Sequence, residues 1–146
     1  EAALKDYAIA LDKKLIVHGD YSFDDGFRGA RKLFGLKQRP TAIFGSNDEI
    51  AAGVLAAAKS AGIDVPGELS IAGFEDSPFS KQCWPTLTTA RQATETIARH
   101  AAQLLIAQLD EEPAQPAIGN EGFSPELVIR GPERSAGRCC WRAPAC

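Results

Sequence analysis

Three residues that could contact a ligand follow three predicted strands, and their types suit the binding of a polyol. Tyr21 lies after the first strand, Asn47 after the second and Glu75 after the third. Because ligands of open parallel sheets bind outside the carboxyl ends of the strands, we expect these side chains to share one edge. An aromatic ring stacks on the C–H face of a sugar, while amide and carboxylate groups bridge its hydroxyls. The pattern predicts a binding site and contains no evident nucleophile.

Neighbouring carboxylates are candidate additional members of this site, namely Asp20, Asp48 and Asp76. Two other interpretations remain open. Asn47, Asp48 and Asp76 also suit helix N-termini, where short polar side chains satisfy unpaired backbone donors, and Tyr21 also suits the rim of a core. The three carboxylates would alternatively hold Mg²⁺ in a metal-assisted hydrolase, but no phosphate-binding glycine loop accompanies them. We therefore predict no catalytic residue, no bound metal and no cofactor.

The histidines and cysteines do not form a recognisable metal or catalytic pattern. His18 and His100 lie far apart, and Cys83 stands alone. The remaining cysteines crowd at the end of the chain, as Cys139, Cys140 and Cys146. This spacing lacks the paired groups of a zinc site, and a reduced, cytoplasmic setting is the simplest interpretation. Trp84, next to Cys83, either caps the core or anchors a contact between subunits.

The elements that position these residues alternate between short apolar runs and helical patterns. This alternation predicts an α/β fold with an open parallel sheet flanked by helices. The predicted strands are 15–17, 41–44, 69–73 and 126–130, with a short extended piece at 87–89. The predicted helices are the end of one within 1–10, then 24–34, 47–61 and 94–109. Ser46 and Glu49 have the spacing of a capping box, and residues 110–125 are rich in turn formers.

Composition limits the functions that this segment can have by itself. The 146 residues are 45% hydrophobic and 24% charged, which is typical of one globular unit. A net charge of −3 disfavours direct nucleic-acid binding. Apolar runs such as 51–58 are far shorter than the roughly 18 residues of a membrane span, so we expect no membrane partner. No secretion signal is visible, and the absence of Met indicates that Glu1 is not a natural start.

Three ordered motifs carry a resemblance to a known family. They read PTAIFGSNDEIAAG at 40–53, GIDVPGELSIAGFED at 62–76 and PTLTTARQ at 85–92. In order and spacing they resemble the LacI/GalR family of bacterial transcriptional repressors, and the likeness runs from about Leu4 to Gly131. It implies one lobe of a periplasmic-binding-protein-like type I fold, whose two lobes hold a small-molecule effector, a sugar or sugar derivative, between them.

The resemblance also implies an organisation of the chain. Residues 1–90 would form the C-terminal effector-binding lobe, 91–121 would cross to the first lobe, and 122–131 would return as a strand. Residues 132–146 are rich in Arg and Cys, match no family pattern and are expected to be a disordered tail. Operator DNA would be bound only through an N-terminal helix-turn-helix that is missing from this sequence.

Site residues are implied position by position. Tyr21 falls where the family places an aromatic against the effector, Asn47 where it places a polar contact, and Glu75 where it usually has an effector-binding Asp. The implied homodimer interface contains Ile50, Val54, Phe79, Cys83 and Trp84. The favoured function is the effector-sensing and dimerising part of a cytoplasmic regulator. The alternative is a periplasmic-type sugar or small-solute binding protein, which predicts a secretion signal and a monomer.

Overall fold

The computed structural model describes residues 2–109 and 121–130. Its helices are α1 (Ala2–Asp6), α2 (Phe23–Phe34), α3 (Asp48–Ser60), α4 (Pro78–Gln82) and α5 (Thr94–Leu109). Its strands are β1 (Ala42–Phe44), β2 (Ser70–Glu75), β3 (Thr88–Arg91) and β4 (Glu126–Val128). The predicted tail at 132–146, with its three cysteines, and most of the predicted loop at 110–125 lie outside the described residues.

The strands form one sheet in the order β1-β2-β3-β4. β1, β2 and β3 are parallel, which confirms the predicted open parallel sheet for these strands. β4 is antiparallel to β3, so the complete sheet is mixed. The chain leaves the sheet at Arg91 and re-enters it at the register partner of that residue, Glu126, so the returning strand must run in the opposite direction.

Helix α3 forms the centre of the core because it packs on β2 on one side and on α2 on the other. Most of its side chains are small, which permits this close approach. Its buried apolar residues are Ala51, Ala52, Val54, Leu55, Ala57 and Ala58. They pack with Leu69, Ile71 and Leu87, which belong to β2 or directly precede β2 and β3. Burial of this apolar surface is the main stabilising contribution to the fold.

Helices α2 and α3 come into backbone contact at two glycines. A Cβ atom at Gly26 would collide with the carbonyl of Ile50, and one at Gly53 would collide with the carbonyl of Phe23. These positions therefore exclude any side chain. A hydrogen bond also connects the first turn of α3 with the start of α2, because Glu49 Oε1 accepts from the Phe23 amide at 3.1 Å. The amino ends of α2 and α3 thus lie side by side.

Two local predictions are wrong. The predicted strand at 15–17 is outside the sheet, and the chain instead forms a 3-10 helix at Lys13–Leu15, with Asp12 accepting a hydrogen bond from the Lys14 amide at 2.9 Å. Strand geometry requires a neighbour for its backbone groups, and none of the four strands pairs with this segment. The predicted capping box is also absent, because Asn47 caps α3 and Glu49 bonds to Phe23.

Two parts of the structure differ in how their apolar side chains are packed. We call residues 20–91, with the core helices and parallel strands, the body, and we call α5 with residues 121–130 the arm. In the arm, residues 94–108 contain no buried residue, and Leu105 and Ile106 are exposed. Leu127 and Ile129 are exposed as well. The arm adjoins the body chiefly through the β3–β4 pairing.

Candidate functional site

Tyr21 lies in a loop whose backbone is held by a neighbouring carboxylate. Asp25 accepts hydrogen bonds from the Asp20 amide at 2.7 Å and the Ser22 hydroxyl at 2.9 Å, and Ser22 caps α2. The Asp20 amide, and after it the Ser22 hydroxyl, lower the pKa of Asp25. Tyr21 adopts a φ of 63°, in the left-handed region, and its side chain is 64% exposed. The loop therefore presents an aromatic ring to solvent on a fixed backbone.

Asn47 joins this loop to the start of α3. Its Oδ1 accepts a hydrogen bond from the Ile50 amide at 2.8 Å, and its Nδ2 donates one to the Tyr21 carbonyl at 3.0 Å. The helix-cap interpretation of Asn47 is therefore confirmed. A primary amide has two N–H groups and two carbonyl lone pairs, so one of each remains for a ligand.

Glu75 ends β2 and presents an exposed carboxylate at the same edge of the sheet. Within residues 2–109 and 121–130, its side chain has no hydrogen-bond or ion-pair partner. Its backbone φ is 107°, and that of the following residue, Asp76, is 60°. Two consecutive left-handed residues are costly for side chains other than Gly, and such strain persists only where the surroundings hold it.

Asp48 is bound by the protein itself, contrary to its prediction as an additional ligand residue. It is 0% exposed, and its carboxylate accepts hydrogen bonds from the Ser77 amide at 2.7 Å and the Thr89 hydroxyl at 2.5 Å. A Cβ atom at Gly73 would collide with the same carboxylate. Asp48 thus connects α3 with the segments that follow β2 and β3, and it is inaccessible to a ligand.

The Asp76 carboxylate is likewise bound by other side chains of the protein. Its side chain is 5% exposed, and it pairs with Arg130 and with Arg91, whose Nε lies 2.7 Å from Oδ2. Ser80 donates a third hydrogen bond at 3.1 Å. Burial raises the pKa of Asp76, but the hydrogen bonds from Arg91, Arg130 and Ser80 outweigh it and lower the pKa to about 2. The carboxylate is ionised and already paired.

A continuous line of hydrogen bonds therefore follows the carboxyl ends of the strands. It runs from Tyr21 through Asn47 to α3, from Asp48 through Thr89 to the Asp76 amide at 3.4 Å, and on to the arginines. Sequence reasoning missed the supporting residues, which are Asp25, Thr89, Arg91 and Arg130. The register of β2 and β3, which pairs Glu75 with Arg91, would have indicated one of them.

The predicted interface residues occupy different environments. Trp84 is 80% exposed and Phe79 is also exposed, so Trp84 does not cap the core of this chain. Cys83 is half-buried, and burial, followed by the nearby Asp48 charge, raises the pKa of its thiol. Ile50 packs against the core from a half-buried position. Val54, also predicted in the dimer interface, is 2% exposed and packs in the core of this chain.

An open depression of about 390 Å³ lies next to this edge, between residues 17–20 and α2. Its polar lining includes His18, Asp20, Arg28 and Lys32. Apart from Asp20, none of the candidate ligand residues borders it. Asp20 therefore lines a depression that Tyr21, Asn47 and Glu75 do not border.

The two histidines lie in different parts of the structure, with His18 in the depression beside Asp20 and His100 on α5. Within the arm, His100 of α5 lies with its Nε2 2.6 Å from Glu121 and its ring edge-on to Phe123. Among residues 2–109 and 121–130 no cluster of His, Cys, Asp or Glu could hold a metal ion. In the same ranges, every helix is too short or too polar to cross a bilayer.

Fold and site together define a class of protein. The periplasmic binding protein-like domain model matches residues 3–131, and the chain belongs to this family. The relatives that it resembles include LacI/GalR-type transcriptional regulators, and the chain corresponds to part of their periplasmic-binding-protein-like, effector-binding core.

Individual relatives show the extent of the likeness. The HTH-type transcriptional repressor CytR of Escherichia coli strain K12 is 37% identical over 133 residues, which are 91% of this chain and 38% of the repressor. The HTH-type transcriptional regulator GalR of the same strain is 39% identical over 88% of this chain and 37% of that protein. The transcriptional regulator CelR–cellobiose complex superposes with a TM-score of 0.80 at 26% identity, covering 88% of this chain and 39% of that chain. The chain thus spans less than two fifths of the length of these proteins.

Proposed function

We propose that this chain is the effector-sensing part of a LacI/GalR-type transcriptional regulator, and that its effector is a sugar or sugar derivative. The observation that carries the proposal is the pair of exposed, unpartnered side chains, Tyr21 and Glu75, at the carboxyl edge of the sheet. Asn47 donates a hydrogen bond to the Tyr21 carbonyl and keeps spare donor and acceptor capacity. The cellobiose bound by one structural neighbour supports a carbohydrate.

The proposed mechanism is a coupling between binding and the arrangement of two lobes. An effector that prefers one arrangement shifts the population toward it by its difference in affinity. Operator DNA would be contacted in the cytoplasm by a separate domain, since a net charge of −3 disfavours phosphate binding by this segment. The proposal assigns no catalytic reaction to the chain.

Glu75 is proposed to select the effector within the family pattern. It keeps the negative charge of the usual Asp but extends the carboxylate by one methylene. The Glu75 carboxylate would therefore bridge hydroxyls farther from the sheet than an Asp would reach. Its left-handed backbone fixes the direction from which the side chain starts.

Thermal unfolding with a panel of neutral pentoses, hexoses and disaccharides, including cellobiose, tests the proposal. We expect at least one sugar to raise the melting temperature by about 4 °C or more when present at a hundredfold excess over its Kd. Glu75→Gln should remove the shift, because the amide loses the charge that strengthens hydrogen bonds to hydroxyls. Glu95→Gln, on exposed α5, is the matched control and should keep it. A panel without any stabilising sugar, or an unchanged shift in Glu75→Gln, would contradict the proposal.

We also propose that Trp84, with Phe79 and Cys83, forms a homodimer contact. An exposed Trp beside an exposed Phe is unfavourable in water and typical of interface cores. Sedimentation equilibrium of the 146-residue chain should show a dimer. Trp84→Ala should weaken it at least about tenfold, whereas Tyr7→Ala, which removes another exposed aromatic, should leave it unchanged. A monomer at high concentration would exclude this contact.

A further inference from the structure

Asp76 is the point where two arginines from different strands meet. Arg91, the last residue of β3, donates from Nε to one carboxylate oxygen at 2.7 Å. Arg130, two residues after β4, pairs with the other oxygen. The Asp76 carboxylate is buried, and hydrogen bonds that involve ionised groups in such surroundings are shorter and stronger than neutral ones.

These two arginines lie near the two ends of the arm, where the chain leaves β3 and where it follows β4. Arg91 directly precedes the segment that leads into α5, and Arg130 closes the arm. Arg130 is fixed by further bonds: its amide and its carbonyl both bond to the Thr88 hydroxyl at 3.0 Å, and its Nη1 lies 3.0 Å from the Ser80 hydroxyl. Asp76 therefore joins both ends of the arm to one residue of the body.

The same residue holds the turn that carries Glu75. Glu75 and Asp76 have φ values of 107° and 60°, so the backbone there needs external restraint. Arg91 supplies part of it, since it is the register partner of Glu75 and the ion-pair partner of Asp76. The Thr89 hydroxyl accepts a hydrogen bond from the Asp76 amide at 3.4 Å and supplies another part of this restraint.

We infer that Asp76 is a positioning residue that links the Glu75 edge of the effector site to both strands that connect the body with the arm. A ligand that displaces Glu75 displaces Asp76, and through it Arg91 and Arg130. The role in sensing rests on the proposed function, whereas the mechanical link rests on the contacts alone. Asp76 itself is buried and does not contact the ligand.

Amide hydrogen exchange on the 146-residue chain, without any ligand, tests the link. Asp76→Asn keeps the side-chain shape and tolerates a left-handed backbone, but it removes the charge that holds the arginines. We expect at least tenfold faster exchange at 75–77, 88–91 and 126–130, with α2 and α3 changed less than twofold. Arg39→Gln, which removes the exposed Arg39–Glu68 pair near the amino ends of β1 and β2, is the matched control and should leave these amides unchanged.

Other exchange patterns would overturn the inference. A uniform acceleration over the whole body would mean that Asp76 contributes only to stability, and unchanged exchange at 75–77 would mean that it restrains nothing there. If Asp76→Asn does not fold, Arg91→Gln is used instead. The Arg91 side chain is about half exposed, so replacing it empties no buried position. Arg91→Gln should accelerate exchange at 75–77 at least threefold, and no acceleration would refute the link.

Hydrogen exchange in the presence of a sugar that stabilises the wild-type chain distinguishes coupling from a purely structural role of Asp76. We expect the sugar to slow exchange at 88–91 and 126–130 in the wild type, and to slow it less than twofold in Asp76→Asn although the sugar still binds. Equal slowing in both proteins would refute the coupling. If no sugar binds the wild type, the proposed function fails, while the ligand-free experiment still decides whether Asp76 links the turn to the arm.

Discussion

Helices α3 and α5 have similarly apolar sequences, yet one is buried and the other is exposed. Six apolar residues of α3 lie in the core, between α2 and β2. Over residues 94–108, α5 has no buried residue, and its Leu105 and Ile106 face solvent. The difference arises from their partners, because an apolar helical face is stabilised mainly by what it packs against.

This contrast shows which part of the chain is self-sufficient. The body contains a buried apolar core and presents Tyr21 and Glu75 at one edge. The arm leaves Leu105, Ile106 and Leu127 exposed and is tied to the body by one strand pairing and by Arg130. The arm thus depends on few contacts with the body.

The largest expected effect comes from adding one methyl group in the body. Gly53→Ala would place a Cβ against the backbone of Phe23, so the two helices must separate, and we expect a loss of more than about 3 kcal/mol in the free energy of unfolding. Gly122→Ala in the arm is the matched control, with no atom within 4 Å of the new Cβ and a change near zero. Urea unfolding followed by circular dichroism measures both. Equal losses would show that the contrast is false.

Removing one leucine from each region gives the next largest difference. Leu69→Ala empties a fully buried position, and we expect a loss of about 3 kcal/mol in the free energy of unfolding. Leu105→Ala removes an exposed side chain from α5 and should change the same quantity by less than about 0.5 kcal/mol. A comparable cost for Leu105→Ala would mean that α5 is packed in solution, by self-association or on the body.

Thr89→Val tests the polar connection under the site. It removes the hydroxyl that donates to buried Asp48 and leaves that carboxylate short of one hydrogen bond, for an expected loss of about 2 kcal/mol in the free energy of unfolding. Thr41→Val, at an exposed position, is the isosteric control and should be nearly neutral. Urea midpoints of the two variants make the comparison. Equal midpoints would show that the Asp48–Thr89 bond contributes little.

Much of the body was predictable from sequence, whereas the bonding at its site was not. The periodicities of α2, α3 and α5 and the apolar runs of β1 and β2 are local, so they appear in one dimension. The strand predicted at 15–17 failed because an apolar triplet shows nothing about an available neighbour. The bonding of Asp48 and Asp76 was not predictable because their partners, Thr89 and Arg130, lie 41 and 54 residues away in the chain.

The smallest predicted effect is the pH dependence due to Asp76, whose charge faces Arg91, Arg130 and, at 4.0 Å, Lys81. Its folded pKa of about 2 lies below the ordinary value of 3.8. Its contribution to stability is therefore complete above about pH 4 and is lost as the pH falls through about 2. The difference in unfolding free energy between wild type and Asp76→Asn should shrink from pH 5 to pH 2.5. A difference independent of pH would contradict the assignment of the ion pairs.

The most direct test of the account locates the bound sugar on the chain. We would titrate the isotopically labelled 146-residue protein with the sugar that raises its melting temperature most, and follow backbone amides by NMR. We expect the largest shift changes at 20–22, 46–48 and 74–77, and we expect them to disappear in Glu75→Gln. Shift changes confined to α5, or to the depression lined by His18, Arg28 and Lys32, would contradict an effector site at the carboxyl edge of the sheet.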